Sequence, residues 1–431
     1  MADMSQKAEL KRELGLFEVT LSGVGIILGA GIYALIGEAA GRAGNAVWMA
    51  FAVASLIAMF TGLSYAELSS MFPKANAEYE YTYRAFNQKL AFVVGWLVIF
   101  SSIISASTVA LGFGGYFKAL TGVAVLPSAL ILIVFLSIIL LYGIKESVWF
   151  GIAFTFVEVG GLVFIILIGI PHLGHINYLE MPYGLGGVFK SAALIFFAYM
   201  GFEEMVKLSE ETKSPEKTIP KGLIMALMIT ILLYILVALS AVSILDWRLL
   251  SASEAPFSEV AFVALGSEAF AIMSIIALFA TANTVLFSLL AGSRITYGMA
   301  RSFILPRALS KVDSKRKVPW MAVLMSAFLS MGFVFTGDIA FVASANDFVL
   351  FVTFMVINAS LIAMRYKDPQ RPRAFRVPIS AGKLPLLPLL GIATCVFLSA
   401  QLDPKAVAMG SILVLTGVFI SHFCCQKARA R

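Results

Sequence analysis

Two short segments place glycines and carboxylates inside apolar sequence, in patterns that would expose peptide groups to a solute. The first, Gly23 to Gly31, reads GVGIILGAG and has four glycines within nine residues. Each glycine forfeits about 1 kcal/mol of helix propensity, so a helix is weak there. Peptide groups freed in hydrocarbon are tolerated only where they line a cavity or contact a ligand. The pattern predicts a backbone site for a small charged or zwitterionic solute, although Gly25 and Gly29 also fit a GxxxG helix-packing face.

The second segment, Phe196 to Glu204, reads FFAYMGFEE and favours the interrupted-helix interpretation. An apolar run meets Gly201 and then two carboxylates at a depth where an ordinary membrane helix should still be buried. Unusual segments at corresponding positions of two halves are typical of transporter sites built on inverted repeats.

The elements that position these segments are membrane helices. Of 431 residues, 60% are hydrophobic and only 13% charged, which excludes a soluble domain of this size. Apolar runs of about 20 residues, the length needed to cross a bilayer, occur about twelve times: 16–40, 45–72, 87–117, 124–143, 148–170, 188–209, 220–246, 260–299, 318–336, 338–364, 384–402 and 405–424. The chain is therefore predicted to be an all-α membrane protein.

The net charge of +7 indicates orientation rather than a nucleic-acid partner. With both termini cytoplasmic, the 32 lysines and arginines lie on the inner side except for five: Arg42, Lys118, Lys190, Arg248 and Lys405. This distribution obeys the positive-inside rule. The segment RYKDPQRPRAFRVPISAGK, 365–383, becomes a basic inner loop, and we expect a transport core over residues 1–366 and two peripheral helices within 367–431.

Glu158 is the one charged residue of the fifth apolar run and lies near its middle. A carboxylate there must have a partner, hold a proton or face water, because burying it costs at least about 2.5 kcal/mol. We therefore expect Glu158 to couple transport to protons. The eighth run offers oxygen ligands for Na⁺ or for a network around a protonatable group, of which Thr284 and Ser288 are the candidates for coupling.

Two further groups of polar residues are candidates for the pocket wall and for a gate. Ser101 and Ser105 share one face of the third run, where small hydroxyl residues line a pocket or pack against a neighbouring helix. In the sixth run, Lys207 follows Glu203 by four residues and Glu204 by three, so an ion pair at either spacing would form an inner gate. The gate is assigned to Glu203 and Lys207. No metal site is expected, because three scattered histidines and three cysteines form no ligand cluster.

Several motifs in chain order make the sequence similar to the amino acid/polyamine/organocation (APC) transporter superfamily, in particular its cationic-amino-acid-transporter-like branch. The matching motifs are GAGIY, PKANAEYEYTYRAF with a following GW, IKES, FFAYMGFEE, EETKSPEKTIPKGL and SRITYGMARSFILP. The resemblance implies a LeuT-like fold, with two inverted five-helix repeats at about 14–172 and 186–366 and two extra C-terminal helices.

The resemblance also implies roles for individual positions. Backbone amides would bind the substrate carboxylate: Gly29, Ala30 and Gly31. Backbone carbonyls would bind the α-amino group: Ile27, Phe197, Ala198 and Met200. The side chains of Phe197 and Phe202 would act as gate or pocket residues. Glu158 falls where several proton-coupled relatives have a lysine, and the opposite charge means that the lysine mechanism does not transfer directly.

The expected function is secondary active transport of amino acids across the plasma membrane by alternating access. Because the pocket is expected to be apolar and aromatic, without a carboxylate placed for a cationic side chain, proton symport of neutral amino acids is favoured, with Na⁺ less so. An amino acid or polyamine exchanger and a non-transporting amino acid sensor remain alternatives. An enzyme is disfavoured, because no nucleophile or metal cluster is evident. We expect no cofactor, and a monomer or weak homodimer.

Overall fold

The protein is almost entirely helical. The structure is a computed structural model that describes residues 12–74, 77–142, 148–301, 305–313, 316 and 318–429; the side chains of 148–154 and 423–429 are not described. The IKES motif, Asn76 and residues 302–304 of the SFILP turn lie outside the described residues.

Sixteen α-helices and one small hairpin make up the described chain. In chain order the helices are α1 (Leu16–Ile27), α2 (Gly31–Ala43), α3 (Val47–Met71), α4 (Ala77–Ala85), α5 (Gln88–Thr121), α6 (Val125–Tyr142), α7 (Val148–Gly169), α8 (Gly184–Ile195), α9 (Pro215–Ile244), α10 (Trp247–Ala252), α11 (Pro256–Leu265), α12 (Ser267–Arg301), α13 (Trp320–Val334), α14 (Ile339–Lys367), α15 (Leu386–Ser399) and α16 (Pro404–Arg429). The hairpin pairs β1 (Ser380–Ala381) with β2 (Leu384–Pro385).

Each of the twelve predicted apolar runs coincides with a helix or a pair of helices, which confirms the all-α membrane class. Within the described residues, nine helical stretches are long and apolar enough to cross a membrane. The predicted first, ninth and eleventh runs contain shorter apolar helices, namely α1, α13 and α15.

Both predicted helix interruptions are present. The first run breaks after Ile27, and Leu28 to Ala30 separate α1 from α2. The sixth run leaves α-helical geometry after Ile195, with a 3₁₀ turn at Phe196–Tyr199, a turn around Gly201 and a second 3₁₀ segment at Glu204–Glu210. We call these the first and second breaks. The two-repeat division stays a prediction.

Polar side chains at the helix ends explain where the long helices start. The Asn87 side chain accepts a hydrogen bond from the Leu90 N–H at 3.0 Å and caps α5. In the same way, Asp338 accepts from the Phe341 N–H at 2.9 Å and caps α14. These caps satisfy amides that have no partner within the helix. Both α5 and α14 then run through the interior, where α5 packs along α12 and α14.

A buried ion cluster joins α3 to the inner end of α14 and to the basic loop. Glu67, with no exposed surface, accepts hydrogen bonds from Nε and Nη2 of Arg365 at 2.6 and 2.5 Å. Arg373 approaches the same carboxylate at 3.0 Å, and the Val377 N–H donates to it at 2.7 Å. Two arginines of the basic segment 365–383 are therefore held inside the protein.

Substituting Glu67→Gln should destabilise the protein strongly, because two buried guanidinium groups lose their counter-charge. Removing one partner of a buried pair typically costs about 3–5 kcal/mol. The measurement is the apparent melting temperature of the purified protein in detergent. Lys74→Gln is the control: Lys74 is mostly exposed and 3.8 Å from Glu80, so its loss should change little. Equal melting temperatures for Glu67→Gln and wild type would contradict this assignment.

Candidate functional site

The two breaks lie against each other. A Cβ atom added to Gly31, the first residue of α2, would lie 2.8 Å from the Cα of Ala198. At Gly201, where φ is +112°, an added Cβ would lie 2.6 Å from the Ile26 carbonyl oxygen. Both positions require glycine because another backbone segment approaches closely, and Gly201 also requires it because of its positive φ. Two segments of irregular backbone from distant parts of the chain thus form one surface.

The Tyr234 hydroxyl joins the two breaks directly. This side chain of α9 is fully buried, and its oxygen lies 2.9 Å from the Ile27 carbonyl oxygen and 2.8 Å from that of Ala198. The hydroxyl has one proton and shares it between the two carbonyls. Both carbonyls belong to the set expected to bind an α-amino group, and each oxygen has a second lone pair for another donor.

The first N–H groups of α2 lie next to the first break and form no hydrogen bond within the helix. Its first helical bond runs from the Ala34 N–H to the Ala30 carbonyl, so the amides before Ala34 in α2 have no acceptor within the helix. The Ala30 N–H donates to Thr284 Oγ1 of α12 at 3.0 Å. Of the three amides expected to bind a carboxylate, Ala30 is thus occupied, and Gly29 and Gly31 are better placed for an anion.

Glu158 is connected to the first break through α12 and α2. It lies in the middle of α7 and is 2% exposed, so water does not reach it in this conformation. Asn283 donates to its carboxylate at 3.2 Å, and the Tyr33 hydroxyl donates to its backbone carbonyl at 2.6 Å. Asn283 directly precedes Thr284, which binds the first break. The partner of Glu158 is therefore an amide rather than a cation.

The structure brings Ser105 and Ser288 together. Their hydroxyls lie 3.4 Å apart across the α5–α12 contact. Ser101 lies one turn before Ser105 on α5 and is buried. Ser105, a candidate for the pocket wall, and Ser288, a candidate for coupling, thus contact each other.

The second break presents aromatic and thioether side chains. Met200 is partly buried, and the Asn346 amide of α14 lies 3.0 Å from its sulfur. Phe197 is 4% exposed beside it. Phe202 points elsewhere, into a buried cluster where its ring packs edge-on against Tyr65 at 5.8 Å. Phe202 therefore belongs to a buried aromatic cluster that also contains Tyr65 and Phe354.

The inner end of the second break contains a different ion pair from the assigned one. Lys207 pairs with Glu204 at 2.5 Å, whereas Glu203 accepts a hydrogen bond from the Gly201 N–H at 2.9 Å. Glu203 thereby stabilises the turn around Gly201. The α4 residue Glu78 faces this pair. Burial raises the pKa of its carboxyl, the charge of Lys207 opposes that shift and the charge of Glu204 adds to it.

Comparison with known proteins places this site in a family. The model of the family described as "Amino acid permease" matches residues 14–418. The chain belongs to this family. The resemblance to the APC superfamily is thereby confirmed, and so is the interpretation of a transporter rather than an enzyme.

Among similar permeases and transporters, the branched-chain amino acid permease BcaP of Bacillus subtilis is 32% identical, over 99% of this chain and 96% of the relative. The methylthioribose transporter of the same organism is 31% identical over the same shares. The vacuolar cationic amino acid transporter 4 of Arabidopsis thaliana is 31% identical, over 87% of this chain and 66% of the relative.

Three residues of the permease site escaped sequence reasoning. Tyr234 is one tyrosine in an apolar run, and no local pattern marks it. Asn346 and Asp347 form a polar pair inside the tenth run, and the argument that selects Glu158 would have selected Asp347. Asp347 is buried next to the Asn346 contact with Met200, so a second carboxylate lies beside the second break.

Substituting Tyr234→Phe in this permease should weaken substrate binding about fivefold, since a net hydrogen bond contributes about 1 kcal/mol. The reason is that the carbonyls of Ile27 and Ala198 lose their shared donor and their fixed positions. Binding is measured by substrate-induced thermal stabilisation of the purified protein. Tyr116→Phe is the control, because its buried hydroxyl also donates to a carbonyl, that of Tyr33. Equal affinities for the two variants would remove Tyr234 from the site.

Proposed function

We propose that the chain is a secondary active transporter that moves neutral amino acids together with protons by alternating access. The observation that supports it most strongly is the convergence of the two breaks. Free amides at the α2 N-terminus favour a carboxylate, and the carbonyls of Ile27 and Ala198 favour an ammonium group. An α-amino acid presents both groups on one carbon, so the two poles of the site match its two charged ends.

Glu158 is the proposed coupling residue. A carboxylate that is buried and, among the described residues, hydrogen-bonded only to the amide of Asn283 is more stable when it holds a proton. Since Thr284, the next residue of α12, binds the first break, protonation of Glu158 would alter the position of the carboxylate-binding amides. Na⁺ coordination by Thr284 and Ser288 is the less favoured alternative.

The substrate class rests on the side chains near the breaks and on the relatives. Hydroxyls of Tyr234 and Thr284, the Met200 thioether and the Phe197 ring favour an uncharged side chain. Names of the relatives include branched-chain amino acids, methylthioribose and cationic amino acids. We propose neutral amino acids, with the plasma membrane as location, cytoplasmic termini, two inverted repeats and a monomer or weak dimer as the working form.

The deciding experiment is uptake of a labelled amino acid panel into proteoliposomes, with pH and Na⁺ gradients imposed separately. Uptake of neutral amino acids driven by an inward proton gradient is expected. Uptake only against internal amino acid would indicate an exchanger. Absence of both uptake and counterflow, with substrate binding retained, would indicate a sensor and contradict transport.

Substituting Glu158→Gln should abolish pH-driven accumulation while substrate binding and counterflow persist. The amide keeps the size of the side chain and the contact with Asn283, but it cannot exchange a proton. Glu254→Gln is the control, because Glu254 is an exposed carboxylate paired with Lys118 at 2.8 Å. Unchanged accumulation by Glu158→Gln under a pH gradient would exclude Glu158 from coupling.

A further inference from the structure

Asp347 is a second carboxylate in the transport core, and its surroundings differ from those of Glu158. It lies on α14, nine residues after the capping residue Asp338, and has no exposed surface. Neither of its carboxylate oxygens has a hydrogen-bond partner among the described residues. Glu158, in contrast, has the Asn283 amide. Among the described residues, the Asp347 carboxylate thus has fewer hydrogen-bond partners than that of Glu158.

The position of Asp347 on α14 places it at the level of the second break. The preceding residue, Asn346, contacts the Met200 sulfur at 3.0 Å. One turn further on, the Phe351 ring packs against Phe196 with centroids 4.9 Å apart. Since residues four apart share a helix face, Asp347 lies on the face of α14 that packs against the interrupted sixth span.

Within the described residues, no charged side chain forms a hydrogen bond or an ion pair with the Asp347 carboxylate. The elements packed most closely against α14 are α2, α3, α4, α5, α8, α15, α16, β2 and the Phe196–Tyr199 turn. None of the described titratable or charged groups on these elements is a hydrogen-bond partner of Asp347. These groups are Tyr33, Glu38, Arg42, Tyr65, Glu67, Glu78, Tyr79, Glu80, Tyr81, Tyr83, Arg84, Lys89, Tyr116, Lys118, Lys190, Tyr199, Cys395, Lys405 and His422. Three of these groups interact with other residues. Glu67 forms an ion pair with Arg365, and Glu38 and Arg42 interact electrostatically with Asp338 at the start of α14.

An ionised carboxylate without a counter-charge or hydrogen bond is the most costly group to bury, and such a group neutralises instead. We propose that Asp347 holds a proton in this conformation and is a second proton carrier of the transport cycle, acting beside Glu158. When α14 and the second break separate, water reaches the carboxyl, its O–H bond breaks and the proton passes to water. Return to the packed conformation requires a proton from water to bind the carboxylate again.

This inference rests on the proposed function for its role in transport, but protonation of Asp347 is testable without substrate. The unfolded chain would release this proton above about pH 4. Folding therefore takes up a proton at higher pH, and the stability of the wild type should fall as the pH rises. Asp347→Asn keeps the shape of the neutral acid, so its melting temperature in detergent should fall less between pH 5 and pH 8.

The control for helix perturbation is Ser360→Ala, which removes a buried hydroxyl of α14 that donates only to its own helix at Val356. Its melting temperature should follow the pH as the wild type does. Asp347→Glu, which unlike Asp347→Asn still has a carboxylic acid at this position, should show the pH dependence of the wild type. Equal pH dependence of Asp347→Asn and wild type would overturn the proposal.

Transport assays then test the coupling role, with labelled neutral amino acids, labelled lysine and arginine, and a pH-sensitive dye inside the liposomes. Asp347→Asn should retain counterflow but move fewer protons per substrate and accumulate less under a pH gradient. Unchanged proton movement would overturn the proposal and leave the transport function standing. Loss of uptake confined to lysine and arginine would overturn it in favour of side-chain recognition. Absence of counterflow in the wild type would instead contradict the proposed function.

Discussion

A helix that unwinds inside a hydrocarbon layer must find partners for the peptide groups it frees. The described structure meets this requirement with a few polar side chains: Tyr234 binds carbonyls of both breaks, Thr284 binds the Ala30 amide and Glu203 binds the Gly201 amide. These bonds hold the irregular backbone in one shape. The amides and lone pairs that they leave free are the groups that we assign to the substrate.

Two of these supporting side chains come from other helices, Tyr234 from α9 and Thr284 from α12, which links the site to the rest of the protein. On α12, the adjacent residues Asn283 and Thr284 bind Glu158 and the first break. On α14, Asn346 contacts Met200 of the second break, and the adjacent residue Asp347 is a buried acid. A change of protonation at either carboxylate therefore acts on a helix that touches a break. We propose that protons are coupled to substrate by this route.

Sequence alone predicts the breaks, because glycines in an apolar run have a direct effect on helix stability. It also identifies Glu158, since a charge at mid-membrane needs a compensating feature. It does not identify Tyr234, whose role depends on where α9 packs. Nor does it distinguish Glu203 from Glu204 as the partner of Lys207, because both spacings are compatible with one helical turn and the segment is a 3₁₀ turn instead.

The central claim is that freed peptide groups of the two breaks bind both ends of one zwitterion. The most direct test compares binding of the best transported amino acid with binding of two analogues, the amine that lacks its carboxylate and the acid that lacks its amino group. Calorimetry on the purified protein should detect strong binding of the amino acid and at least about a hundredfold weaker binding of each analogue, since each lost charged contact costs about 3 kcal/mol. Equal affinity for all three compounds would contradict the account.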